Sequence, residues 1–496
     1  MTASASGADH TYATARELMA AMNAGQVSAV ELAEAAIERI EEYDDDINAV
    51  CAPDFDHALE AARAADTARA RGAASPLLGV PTTVKESFNV AGLPTTWGMP
   101  RFRDFVPTED AVAVTRLRNA GAVILGKTNV PFALGDLQSY NDLYGTTNNP
   151  WDLGRTPGGS SGGSAAALAA GYGALSIGSD IAGSLRAPAH YCGVYAHKPS
   201  FGLVPSRGHT APPAPPLAYD RDLTVPGPLA RSAADLSLML DVLAGPDDTT
   251  LGIAHGLTLP PARHDDLASY RVLVVDTHPL MPSAASVREA LDAVGDRLSA
   301  AGVSVSRHSP LLPDQVEAAR LYMRLLLSAM TANSPADAYE RMREAAVRLD
   351  AEDLSLAAER TRGAALSHRD WLAADTLRAV HRARWRELFA EFDVVLCPAM
   401  PTPAFPHDHS PDQWGRRISV DGEDHCYADQ LVWAGIATTP GLPATVAPIS
   451  RSEEGLPIGV QIIGPMYEDR TPIRFAELLE QTFGGFTSPP LARSGG

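Results

Sequence analysis

Residues 158–186 read GGSSGGSAAALAAGYGALSIGSDIAGSLR. Two serines side by side, Ser160 and Ser161, stand between glycine pairs. An alanine-rich run follows, and a further serine, Ser184, sits in Asp180-Ile-Ala-Gly-Ser184 ahead of Leu185-Arg186. Glycine is placed where backbone must turn past the limits that Cβ sets or come close to another group. A flexible Gly/Ser linker has similar composition. The helix-forming alanines and the dense turn punctuation up to Pro188 set this stretch apart from a linker and point to chemistry.

Working upstream, Tyr144–Pro157 is turn-rich and delivers the chain to the glycine pair. Ala122–Gly126 reads as a buried strand, Asp110–Ala120 as a helix and Leu77–Val90 as a short buried strand carrying Lys85 near its end. This strand–helix–strand order suggests an α/β fold with a largely parallel sheet. Ser28 and Glu31 form a capping-box pattern that opens an amphipathic helix, and Ala58–Ala70 continues as a second helix; both need a larger surface to pack on.

Downstream, Gly193–Pro199 and Gly202–Pro205 look strand-like, Pro226-Gly227-Pro228 reads as a break, and Ser232–Ala244 as a helix. Ala211–Pro216 is a stiff proline-rich loop placed to line an entrance. Strands are expected at Arg271–Val275, Val394–Pro398, Ala444–Pro448 and Ile458–Ile463, with helices over Ser286–Ala301 and Phe475–Phe483 and several more between Gln315 and Phe392.

The chain of 496 residues, 45% hydrophobic and 20% charged, has the composition of a folded globular protein. Its formal charge of -20, without a basic run, argues against a nucleic-acid partner. Cys51, Cys192, Cys397 and Cys426 show no CxxC pairing, which points to reduced thiols and to no metal site. The absence of an apolar leader or of an 18-residue apolar run points to a cytoplasmic protein with no membrane partner.

Serine needs a base to act as a nucleophile. His190 and His197 lie downstream of Ser184 as candidates for a Ser-His-Asp arrangement, but Ser184 lacks the Gly-x-Ser-x-Gly setting. Lys85 is the other candidate, because burial among apolar neighbours lowers a lysine pKa towards the range where the free amine exists at neutral pH.

These residues resemble the amidase signature family. The likeness runs from GVPTTVKESFNVAG at 79–92, through 158–188, to GLPIGVQIIGP at 455–465, with Lys85 75 residues before Ser160 and Ser184 24 after it. The resemblance implies one large α/β domain over 1–496, a central twisted mixed sheet covered by helices on both faces. The helices of 1–75 would pack on this core, and a mainly helical elaboration at about 260–392 would shape the substrate entrance.

It implies a Ser–cisSer–Lys triad without cofactor or metal: Lys85 the base, Ser160 the bridging serine on a cis peptide, and Ser184 the nucleophile. Backbone amides of Ile181, Ala182, Gly183 and Ser184 would form the oxyanion hole, supported by Ser161, Ser179, Asp180 and Arg186. Ala182 replaces the family's usual glycine, and Phe132 a common glutamate.

The function implied is hydrolysis of a small-molecule amide (linear C–N bonds, EC 3.5.1.-), extending to carbamates or esters, by a monomer or homodimer. Phe132, Tyr140, Tyr144 and Trp433 are the candidate substrate contacts, pointing to a bulky aryl or alkyl amide. The alternative is the glutamine-hydrolysing component of a tRNA-dependent amidotransferase complex, with Arg378 and Asp429 near the positions that would hold glutamine's charged ends.

Overall fold

The computed structural model describes residues 9–491. The first eight residues, which carry part of the stretch read for a leader, lie outside the described residues. One sheet of eleven strands runs through the molecule. In chain order these are β1 (Val50–Pro53), β2 (Pro81–Lys85), β3 (Val123–Thr128), β4 (Leu175–Asp180), β5 (Tyr195–Lys198) and β6 (Val225–Ala230). They continue as β7 (Arg271–Val274), β8 (Ser304–Ser306), β9 (Val394–Pro398), β10 (Ala444–Arg451) and β11 (Pro457–Ile463). In space the order is β1-β3-β2-β4-β6-β5-β10-β11-β9-β7-β8.

The sheet is mixed, as the resemblance implies, and not largely parallel. β3, β2 and β4 run parallel, as do β9, β7 and β8, while the central strands from β4 to β9 pair antiparallel. The centre departs from the expected order because β6 lies where a proline-rich break is expected. Pro226 and Pro228 are inside β6, which pairs with β4 along its whole length. β5 reaches only Leu229 and Ala230, so the flank of the two prolines carries no ladder partner there and their missing N–H groups cost nothing. The stretch 202–205 forms turns rather than strand.

Apolar side chains fill both faces. One core includes Val84, Leu168, Ile177 and Leu229 together with residues of the N-terminal helices such as Leu18 and Ile37. The other joins Val395 and Ile463 to Leu325, Trp385 and Leu388 of the later helices. Four helices bear on the site: α1 (Gly162–Ala170), α2 (Arg186–Cys192), α3 (Gln315–Thr331) and α4 (Leu431–Thr438). Every residue of α1 is buried, and its alanines let it cross the interior close to the sheet.

Candidate active site

Parallel pairing of β2 with β4 sets Thr83 beside Ser176 and Val84 beside Ile177, so β4 runs on about two residues past the end of β2. Lys85 closes β2, while Ser179 and Asp180 close β4. Carboxyl ends of parallel strands are where open α/β sheets bind ligands. Lys85 is fully buried and donates to Ser160 Oγ at 2.7 Å and to Ser179 Oγ at 3.0 Å. Burial pushes its pKa down from the ordinary lysine value to about 7, against the opposing pull of the Asp180 and Glu86 charges. A substantial fraction is therefore free amine at neutral pH.

The Gly159–Ser160 peptide is cis. Gly159 has no room for a side chain: a Cβ there would lie 2.5 Å from Asp136 O and 2.7 Å from Gln138 N. Ser161 N–H donates to Ser184 O at 3.2 Å, holding the two serine-bearing turns together, and Ser161 Oγ donates to Ser179 O at 3.3 Å. Ser184 lies on the wall of an open cleft, and its hydroxyl has no hydrogen-bond partner among the described residues.

Asp180 and Arg186 are both buried and meet side-on, Arg186 Nε to Oδ2 at 3.0 Å and Nη2 to Oδ1 at 2.8 Å. Burial alone would raise the Asp180 pKa; the Arg186 charge and hydrogen bonds, then Lys198 and the Leu185 amide, bring it to about 2. The remaining Arg186 donors reach Ala434 O, Gln461 Oε1 and Thr438 Oγ1. The Asp180 carboxylate also accepts from the amides of Gly183 at 2.9 Å and Leu185 at 3.0 Å.

The Gly183 amide is thus committed inside the loop, unlike the expectation for the oxyanion set. The amides of Ile181, Ala182 and Ser184 have no partner among the described residues. Gly183 itself needs its residue type, with φ at +93° and Ala434 Cβ 3.2 Å from where its own Cβ would be.

The cleft in front of Ser184 encloses about 550 Å³, counting its open mouth. Leu134 and Leu137 form one side, with Ile181 and Ala182 at the base. Leu326, Leu327 and Met330 of α3 face them, and Trp414, Tyr427 and Leu431 complete the wall. The carboxylate on this wall, Asp136, accepts from Arg416 Nη1 at 2.6 Å and Tyr427 OH at 2.7 Å.

The amidase family model matches residues 31–472. The chain belongs to the amidase family. As an amidase it is an enzyme acting on amide C–N bonds. Among curated relatives, the A-subunit of glutamyl-tRNA(Gln) amidotransferase from Roseiflexus castenholzii is 33% identical, covering 98% of each chain. Indoleacetamide hydrolase of Bradyrhizobium diazoefficiens is 32% identical over 95% of this chain and 86% of its own. A solved structure from a study of a vestigial protein complex and the origins of an s-triazine catabolic enzyme superposes with a TM-score of 0.80. It is 30% identical and covers 95% of this chain and 98% of that one.

Within this amidase, the four expected substrate contacts stand off the cleft wall. Trp433 is fully buried in the core, edge-on to His278. Phe132 is 56% exposed on a surface turn. Tyr144 is half-buried with its hydroxyl 3.4 Å from Glu86. Tyr140 accepts from Arg416 at 2.7 Å and stacks on His409.

Arg378 is paired with Asp222 and Asp375, and Asp429 with Arg360; none of these residues lines the cleft. The loop 211–216 is likewise absent from its wall.

The cleft residues that sequence reading missed are mainly apolar side chains spread over 134–137, 326–330, 413–414 and 427–431. The spacing of Leu326, Leu327 and Met330 put them on one helix face, but such a face reads as ordinary core.

Proposed function

We propose that this amidase hydrolyses amides with a bulky apolar substituent through a Ser184 acyl-enzyme, with Ser160 and neutral Lys85 as the proton relay. The observation that carries the substrate reading is the cleft: its wall is aliphatic and aromatic, and its carboxylate is already neutralised by Arg416. A preformed apolar cavity of this kind favours an apolar acyl or amine group.

In the proposed reaction the Lys85 amine takes the Ser160 proton as Ser160 takes that of Ser184. Ser184 Oγ then attacks the acyl carbon. Rotation of the free Ser184 side chain completes the relay. The oxyanion of the tetrahedral intermediate is met by the open amides of Ile181, Ala182 and Ser184. The proton returns through Ser160 to the leaving nitrogen, the C–N bond breaks, and water releases the acid by the same relay. Carbamates and esters present the same acyl geometry to the site and fall within the proposal.

A second reading, glutamine hydrolysis within a tRNA-dependent amidotransferase, is favoured by the likeness to the Roseiflexus amidotransferase chain. Against it stands the pairing of Arg378 and Asp429 with other side chains, which leaves neither charge free for glutamine's carboxylate or ammonium. The test is a panel of apolar anilides, alkyl amides, carbamates, esters and glutamine, with released amine and acid both measured. Turnover of apolar amides by the isolated chain is expected, and Ser184→Ala abolishes it. Release of ammonia from glutamine with no turnover of apolar amides would reverse the choice.

A further inference from the structure

The oxyanion loop is gripped from two sides. Asp180 holds the amides of Gly183 and Leu185. On the opposite flank, Tyr322 of α3, fully buried, donates its hydroxyl to Ile181 O at 3.0 Å. The peptide between Ile181 and Ala182 is trans, since the cis bonds among the described residues are Gly159–Ser160 and Pro212–Pro213. In a planar trans peptide the carbonyl and the following N–H point in opposite directions as one rigid unit. A hydrogen bond on Ile181 O therefore fixes the direction in which Ala182 N–H projects. That N–H is unpartnered among the described residues, and both residues line the cleft beside Ser184.

We propose that Tyr322 is a positioning residue for catalysis, aiming the Ala182 amide at the oxyanion by holding the other end of its peptide plane. The inference rests on the oxyanion role proposed above for that amide. A bond accepted at the carbonyl also polarises the same peptide, strengthening its N–H as a donor.

The surroundings are built for this contact. Burial pushes the Tyr322 phenol well above its ordinary pKa, so it stays a donor. Behind the loop, Thr438 of α4 accepts from Arg186 Nη2 at 2.7 Å. Arg186 in turn binds Asp180, the residue before Ile181, so the loop is held from this side as well. Gly435 leaves space for the tyrosine: a Cβ at 435 would lie 2.5 Å from the ring.

The test compares Tyr322→Phe with Leu325→Ala, which removes buried volume from the same helix away from the cleft. Steady-state rates on an apolar p-nitroanilide are read beside the infrared carbonyl stretch of the acyl-enzyme formed from an activated aryl ester. Tyr322→Phe is expected to lower kcat about tenfold or more with KM within about twofold, part of the loss seen when an oxyanion donor is removed outright. The acyl carbonyl stretch moves to higher frequency. Gly435→Ala, which keeps the hydroxyl but crowds the ring, moves both readouts the same way and serves if the phenylalanine variant folds poorly. Leu325→Ala lowers Tm and leaves kcat and the stretch near those of the parent.

Wild-type kcat and stretch in Tyr322→Phe would overturn the proposal, as would equal changes in Leu325→Ala. Substantial turnover by Ser184→Ala would instead bring down the acyl-enzyme reading beneath it.

Discussion

At the residue scale, the proposed relay depends on one buried amine. Lys85 serves as a base only when neutral, and its pKa of about 7 lies far below the ordinary lysine value because burial penalises the charged form. Below that pH a proton occupies the amine; above it the proposed relay is open. The kcat/KM of the free enzyme is therefore expected to rise with pH through an inflection near 7, and a flat profile between pH 6 and 8 would remove Lys85 from this role. Lys85→Ala is expected to cost about 10²–10⁴-fold in kcat on the same substrate.

The Asp180–Arg186 pair answers to different physics. Both partners are buried, so Arg186→Leu leaves a carboxylate without its counter-charge and is expected to destabilise the fold by about 3–5 kcal/mol. Denaturant midpoints measure this, and a loss under about 1 kcal/mol would mean that the surrounding amides suffice to hold the charge.

At the element scale, α3 is both core and cleft wall. Leu325 points into the core, while Leu326, Leu327 and Met330 line the cleft and Met330 is 42% exposed at its mouth. Met330→Glu puts a charge where the apolar part of the substrate is proposed to lie, at little cost in packing. A drop of about tenfold or more in kcat/KM for apolar amides is expected with Tm nearly unchanged. An unchanged selectivity across the anilide panel would show that the substrate does not reach α3.

The same helix shows where sequence reading stops. The stretch 158–186 stands out in the sequence because glycine pairs and repeated serines are unusual composition, whereas Lys85, 75 residues before Ser160, is singled out by its apolar neighbours and by the family resemblance. The cleft wall does not stand out, because Leu134, Leu327 and Leu431 look like any core leucine until the chain folds. Trp433 is the converse: an aromatic residue with the right character that packing takes into the core. Pro226 and Pro228 misled for a related reason, since proline breaks a strand only where a neighbour needs its N–H, and that depends on how far β5 extends.

At the scale of the whole molecule, burial of lysines links stability to pH. Lys85 and Lys198 have pKa values lowered to about 7 and Lys127 to about 8, in each case chiefly by burial. In the unfolded chain all three keep ordinary lysine values of about 10.4. Between about pH 7 and 8.5 the unfolded state thus binds more protons than the folded one, and stability rises with pH there. Each proton of difference contributes roughly 1.4 kcal/mol per pH unit. The window closes near pH 9, because burial raises the thiol pKa values of Cys51, Cys192 and Cys397. Unfolded thiols ionise there while folded ones do not, which offsets the proton difference of the lysines.

Calorimetry is therefore expected to show Tm climbing from about pH 7 to 8.5 and levelling above about 9. Lys198, whose amino group donates to Pro199 O and takes no part in the proposed relay, separates this effect from catalysis. Lys198→Met should flatten the climb by about one proton's share while leaving the activity inflection near pH 7 in place. If the slope of Tm against pH were the same in parent and variant, the lysine at 198 would be charged in the folded protein.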